Sequence, residues 1–102
     1  MNKLIKDGKV AVVISLGYGA GWSTWNEKCA EFLLFDASIA QALLDGNKTQ
    51  AMRAAKAAHP DIYCGGVDTL EVVWVAQGVK FTINEYDGHE SILTFDDLEF
   101  TA

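Results

Sequence analysis

The run Val10 to Leu16, which empties into Gly17, Gly19 and Gly21 and then into Trp22 and Trp25, constrains this chain more than any other stretch. Four β-branched residues, Val10, Val12, Val13 and Ile14, in an almost continuous apolar run make it a buried strand. The alternating glycines let every second residue take positive φ or admit another backbone at close range. Thr24 and Glu27 stand at capping-box spacing, which predicts a helix starting near Trp25 with its free N–H groups turned toward the loop. Such a helix end favours an anion, and Tyr18, Trp22 or Trp25 would then stack on a flat group. The other reading is a tight turn whose aromatics fold back over the core. Trp22 stands where the third glycine of a dinucleotide fingerprint would fall, and the P-loop ending is absent, so the chain carries no cofactor motif.

A chain of 102 residues, half of them apolar and 22% charged, has the composition of one globular domain spanning residues 1–102. The net charge of −6 argues against nucleic acid as a partner, because phosphate binding requires clustered cations. Lys3, Lys6, Lys9, Lys28, Lys48, Arg53, Lys56 and Lys80 are instead scattered. Cys29 and Cys64 lie far apart with no Cys or His at ligand spacing, so both are expected to be reduced thiols and no metal is expected. Neither a secretion signal nor a membrane span can be read, which predicts a cytoplasmic protein with no membrane partner.

Along the chain, Asp7-Gly8 is a turn signal, and the residues before it either pair with the Val10 strand as a hairpin or form a loose terminus. The segment Phe32 to Phe35 reads equally as helix or strand. Asp36 is placed to cap a helix over Ala37 to Leu44 closed by Gly46, and Asn47 to cap a second over Thr49 to Ala58 that Pro60 stops. Strands are expected at Ile62 to Cys64, Leu70 to Val75, Val79 to Tyr86 and Ser91 to Phe95, the last three as an antiparallel meander. Val79, Phe81 and Ile83 share one face of their strand. Leu70, Val72 and Trp74 share a face of theirs and Val73 takes the other, so that strand is either central or covered by a subunit partner. The acidic tail Asp96 to Glu99 reads as a solvated end. The fold class is α+β: a mostly antiparallel sheet with two or three short helices on one face.

The densest polar cluster, Glu85, Tyr86, Asp87, His89 and Glu90, lies at a hairpin turn. A carboxylate there with His89 is equipment for proton transfer, whereas Asp-Gly with flanking charges is also ordinary turn chemistry. His59, next to Pro60, suits a helix C-terminus. Cys64 before Gly65-Gly66 is either a nucleophile at a backbone nest or a buried thiol.

Val12 to Asn26, Leu33 to Asp36 and Phe81 to Ile92 together resemble a family of small uncharacterised proteins encoded by phages, prophages and other mobile elements, with Gly-Tyr-Gly-Ala-Gly-Trp as the distinctive string. The resemblance covers most of the chain and brings no activity with it. It implies a cytosolic accessory protein that sequesters a host nucleotide or signal, or docks on a host protein. The expectation is a homo-oligomer that binds a small, nucleotide-like or anionic ligand between the glycine loop and the Asn84 to Gly88 turn. Its site would comprise Gly17, Tyr18, Gly19, Gly21, Trp22, Trp25, Asn84, Glu85, Tyr86 and Asp87, with the N–H groups of Gly19 and Gly21 orienting the polar group. The rivals are an interaction module using the aromatics as an interface, and a small hydrolase using a carboxylate and His89.

Overall fold

The computed structural model describes residues 2–94 and 100–102. Its class is α+β, with three short helices and two small antiparallel sheets. The expected tail Asp96 to Glu99, and Phe95 at the end of the last expected strand, lie outside the described residues.

The chain opens with a hairpin of β1 (Ile5–Lys6) and β2 (Lys9–Ser15), turned by Asp7 and Gly8 at φ 54° and 77°. Consecutive positive φ values are the conformation that matches hairpin twist, which explains the Asp-Gly pair. The central strand β2 is buried on both faces, as its apolar run requires. Ala11 and Val13 enter one core cluster with Trp22, Leu33, Ile39 and Leu70. Val10, Val12 and Ile14 enter a second with Leu34, Phe35, Val75 and Phe81. One strand therefore separates two cores and belongs to both.

Three helices follow: α1 (Ala30–Phe35), α2 (Ala37–Leu44) and α3 (Lys48–Ala58). The predicted caps are in place: the Ile39 N–H donates to Asp36 Oδ2 at 3.1 Å and the Gln50 N–H to Asn47 Oδ1 at 3.0 Å. Phe32 to Phe35 is helical, and α1 reaches both cores, with Leu33 in one and Leu34 and Phe35 in the other. Only α2 and α3 keep to one face of the sheet as expected. No helix of the described residues is long and apolar enough to cross a membrane.

Three local expectations are corrected. No regular helix starts at Trp25: Ser23–Trp25 and Glu27–Cys29 are single 3-10 turns, because the Thr24 hydroxyl is bonded to Glu90 instead of capping a helix. Ile62 to Cys64 is not a strand; the N–H and C=O of Tyr63 are taken by the side chain of Asn26, so no ladder forms. The three-strand meander is only half present. β3 (Leu70–Ala76) pairs with β2 along its whole length, whereas β4 (Lys80–Tyr86) pairs with β5 (His89–Leu93) and β6 (Phe100–Thr101).

The turn after β3 explains the divergence. The Val79 N–H closes it onto Ala76 O, while Gly78 N–H donates to Ala102 O and Val79 O accepts from Ala102 N–H, which commits β4 to the C-terminal residues. β3 is consequently an edge of its sheet among the described residues and not a central strand. Phe81 is fully buried with Val79 and Ile83 packed beside it, as the alternation in β4 predicts.

Candidate functional site

The glycine loop and the Asp87-Gly88 turn meet directly. Gly19 N–H donates to Asp87 O, and His89 Nδ1 stands 2.7 Å from Leu16 O. A carbonyl only accepts, so Nδ1 of His89 carries the proton. Gly88 packs so closely on Ala20 that a Cβ there would lie 2.8 Å from Ala20 Cα and closer still to its N and C.

The contact is locked by Glu90, a carboxylate with no exposed surface. Its Oε1 accepts the Ser15 N–H at 2.8 Å; its Oε2 accepts the Trp22 N–H at 2.9 Å, the Thr24 N–H at 3.1 Å and the Thr24 hydroxyl. Removing a carboxylate from water is costly unless its oxygens are met by donors, and here four donors meet them. The loop does bind an anion, and that anion is the chain's own Glu90. Among the described residues no buried side-chain polar atom lacks a partner.

This geometry corrects the expected site. Trp22 has no exposed surface and its Nε1–H donates to Leu33 O at 3.0 Å, so it is a core residue and cannot stack on a ligand. The Gly19 N–H, expected to hold a ligand, is committed to Asp87. Gly17 lies against the Thr69 side chain, and Gly21 against Thr24 and the Trp25 ring. Tyr18, 69% exposed, lies on the His89 ring at 5.2 Å. Asn84, Glu85, Tyr86 and Asp87 are exposed on the hairpin tip, where Glu85 Oε2 accepts the Gly88 N–H at 2.8 Å. The two stretches thus close on each other as backbone, with Tyr18 and Tyr86 left outside.

Trp25 belongs to a different feature. It is 40% exposed, stacks on Tyr63 at 5.5 Å, and lines an open cleft of about 640 Å³. The cleft runs between residues 24–29 and 58–62, and its polar lining includes Glu27, Lys28, His59 and Asp61. Asn26 joins the walls: its Nδ2 donates to Trp22 O at 2.8 Å and Tyr63 O at 3.0 Å, and its Oδ1 accepts the Tyr63 N–H at 2.7 Å. The C-terminal end of α3 abuts the cleft, and the His59 ring packs edge-on to Phe32 at 4.9 Å. That end carries the negative pole of the helix dipole.

Cys29, which lines the cleft, and Cys64 are free thiols, and burial pushes the pKa of both up. In Cys64, Lys56 offsets part of that effect. A raised pKa leaves less thiolate than in a free cysteine, contrary to what a nucleophile needs. Both thiols are expected to alkylate with iodoacetamide more slowly at neutral pH than in the urea-unfolded chain; equal rates would contradict this. Among the described residues no three His, Cys, Asp or Glu side chains converge on a metal site.

The sequence reading missed Glu90 as the organiser, along with Asn26, His59 and Asp61 in the cleft. Glu90 was within reach of it: period-two alternation puts Glu90 on the face of Ile92, which packs on the core. Comparison with protein-family models, curated proteins and solved structures finds no match to this chain.

Proposed function

We propose that the protein is a binding module whose small ligand occupies the Trp25 cleft beside the glycine loop. One observation carries this reading: a ligand-sized concavity holds a partly exposed indole, backed by a stacked phenol ring, with separate polar groups around it. Glu27, Asp61 and the C-terminal end of α3 outweigh Lys28 there, so the lining favours a flat cationic or neutral group over an anion. The glycine loop acts as a scaffold for the cleft wall, since its donors hold Glu90. The sequence resemblance supports an accessory role in the cytoplasm of a cell carrying a mobile element, and the unpaired sheet edge supports self-association.

The test is native mass spectrometry of protein purified from its own host, followed by release of any bound molecule. Wild-type protein is expected to carry a stoichiometric small molecule, and Trp25→Ala to lose it while keeping its fold. Occupancy that survives Trp25→Ala would contradict the proposal.

A second reading has its own observation. Tyr18, Tyr86 and Leu16, with exposures of 69%, 75% and 44%, offer apolar surface around the docked loops and fit a contact with a host protein. Tyr18→Ala with Tyr86→Ala would then abolish capture of that protein and leave cleft occupancy unchanged. The hydrolase reading has less support, because His89 Nδ1 and Glu85 Oε2 are both held by backbone groups of the turn and loop.

A further inference from the structure

Helices α2 and α3 end differently. After α2, Gly46 at φ +75° turns the chain back, and the carbonyls of Gln41, Ala42 and Leu43 accept the N–H groups of Asp45, Asn47 and Gly46. After α3 no left-handed cap residue follows: His59, at φ −138°, gives its N–H to Ala55 O and leads the chain out extended. Pro60 stands where an N–H would have met Lys56 O, and it has none to give. Ile62 N–H donates back to His59 O. The carbonyls of Lys56, Ala57 and Ala58 therefore have no hydrogen-bond partner among the described residues. They point along the helix axis past Ala58, which lines the Trp25 cleft.

The same imbalance runs through the cleft. Several of its donors are spent inside the fold: Thr24 gives its N–H and hydroxyl to Glu90, the Asn26 amide donates to Trp22 O and Tyr63 O, and Cys29 N–H goes to Asn26 O. Its acceptors are not. The carboxylates of Glu27 and Asp61, on opposite walls, have no hydrogen-bond or ion-pair partner among the described residues. Of the cations nearby, Lys28 lines the cleft on an exposed stem, whereas Lys56, in the last turn of α3, acts on Cys64 and is not part of the lining. Unmet acceptors and negative charge thus surround the Trp25 indole, one face of which is covered by Tyr63.

We infer that the ligand of this cleft is a small compound bound through a guanidinium group. The inference rests on the cleft reading proposed above and gives its ligand a chemical class. A guanidinium is flat, permanently charged, and carries its N–H donors in one plane with no acceptor. Its face suits the indole of Trp25, and one edge of its fork suits the carboxylate of Glu27 or Asp61. The remaining N–H groups are free for the carbonyls at the end of α3. A quaternary ammonium would supply the charge and leave every acceptor unmet. A neutral flat ring would leave the carboxylates and the helix pole without a counter-charge. The volume of about 640 Å³ takes in a small guanidino compound whole.

Two probes of the full chain test this, benzylguanidinium and benzyltrimethylammonium. They share a ring and one positive charge, and only the first donates hydrogen bonds. With the Trp25 indole followed in ¹H–¹⁵N spectra, benzylguanidinium is expected to bind roughly tenfold tighter or more, the worth of one charge-assisted bond. Glu27→Gln combined with Asp61→Asn is expected to cut that preference several-fold. Circular dichroism and melting temperature should not change, since neither carboxylate is bonded within the fold. Agmatine and N-acetyl-arginine methylamide separate a small guanidino compound from the arginine side chain of a peptide. Tighter binding of agmatine assigns the small compound; tighter binding of the blocked arginine would keep the guanidinium and overturn its small-molecule source.

Equal affinity of the two benzyl cations, with the Trp25 indole shifting for both, would overturn the guanidinium and leave the cleft standing as a ligand site. A preference that survives the double variant would overturn it as well, because the fork would then be held elsewhere. An indole that responds to neither cation would also overturn the inference. The cleft reading is judged apart from it: a stoichiometric bound molecule without a guanidino group, lost in Trp25→Ala, would uphold the cleft and overturn the guanidinium, whereas occupancy that survives Trp25→Ala would overturn both.

Discussion

Glu90→Gln is expected to lower the melting temperature by roughly 10–25 °C, the largest effect of any near-isosteric change in the chain. The carboxylate accepts one donor at Oε1 and three at Oε2. An amide keeps one acceptor and turns an NH₂ toward either Ser15 N–H or the Trp22 and Thr24 donors. In one orientation the Ser15 N–H is orphaned; in the other the Trp22 and Thr24 N–H groups are, while the Thr24 hydroxyl can turn to accept from the amide. Losing charge-assisted bonds and stranding a donor costs about 2–4 kcal/mol, a large part of the stability of a domain this small. Differential scanning calorimetry checks it, and a melting temperature within a few degrees of wild type would show that the latch is not holding the loop.

Gly88→Ala is expected to destabilise the same junction from the other side, by about 2–4 kcal/mol. Gly88 sits at φ +87°, which an L side chain adopts only with strain, and its missing Cβ is where the Ala20 backbone lies. Backbone cannot move aside as a flexible side chain can. Gly78→Ala supplies the control: φ is +89° there too, but the space around it is open. It is expected to cost only about 1 kcal/mol. Equal destabilisation by the two changes in urea unfolding would mean that the close approach of hairpin and loop contributes nothing.

Local patterns carried much of this fold into view. The capping residues Asp36 and Asn47, the Asp-Gly turns and the alternation in β4 act through neighbours within a few positions, and their elements stand where the sequence puts them. What could not be read locally was partner choice. β3 and β4 are joined by a tight turn yet separate, because each has a better partner elsewhere: β2 for one, β5 and the C-terminal residues for the other. Thr24 and Glu27 look like a capping box until Glu90, 66 positions after Thr24, takes the threonine hydroxyl.

At the candidate site, chemistry was more legible than occupancy. Glycines and a 3-10 turn that favour an anion are present, but the anion comes from β5. Trp22 and Trp25, three residues apart, differ in kind: one fills the core, the other lines a cleft whose opposite wall, Ala58 to Ile62, comes from the end of α3 and the residues after it. No local pattern separates the two, since each is decided by what a distant segment brings to it.

Asp87 and Glu90 hold the Gly19, Trp22 and Thr24 donors around the glycine loop, which leaves the Trp25 cleft as the place for a ligand. A ¹H–¹⁵N titration of the wild-type protein with inorganic phosphate and, separately, with benzylamine tests it directly. Phosphate is expected to leave the amides of Gly19, Trp22 and Thr24 unmoved, while benzylamine shifts the Trp25 indole and the amides of residues 58–62. Phosphate-dependent shifts at Gly19, Trp22 and Thr24 with a silent Trp25 would contradict the account.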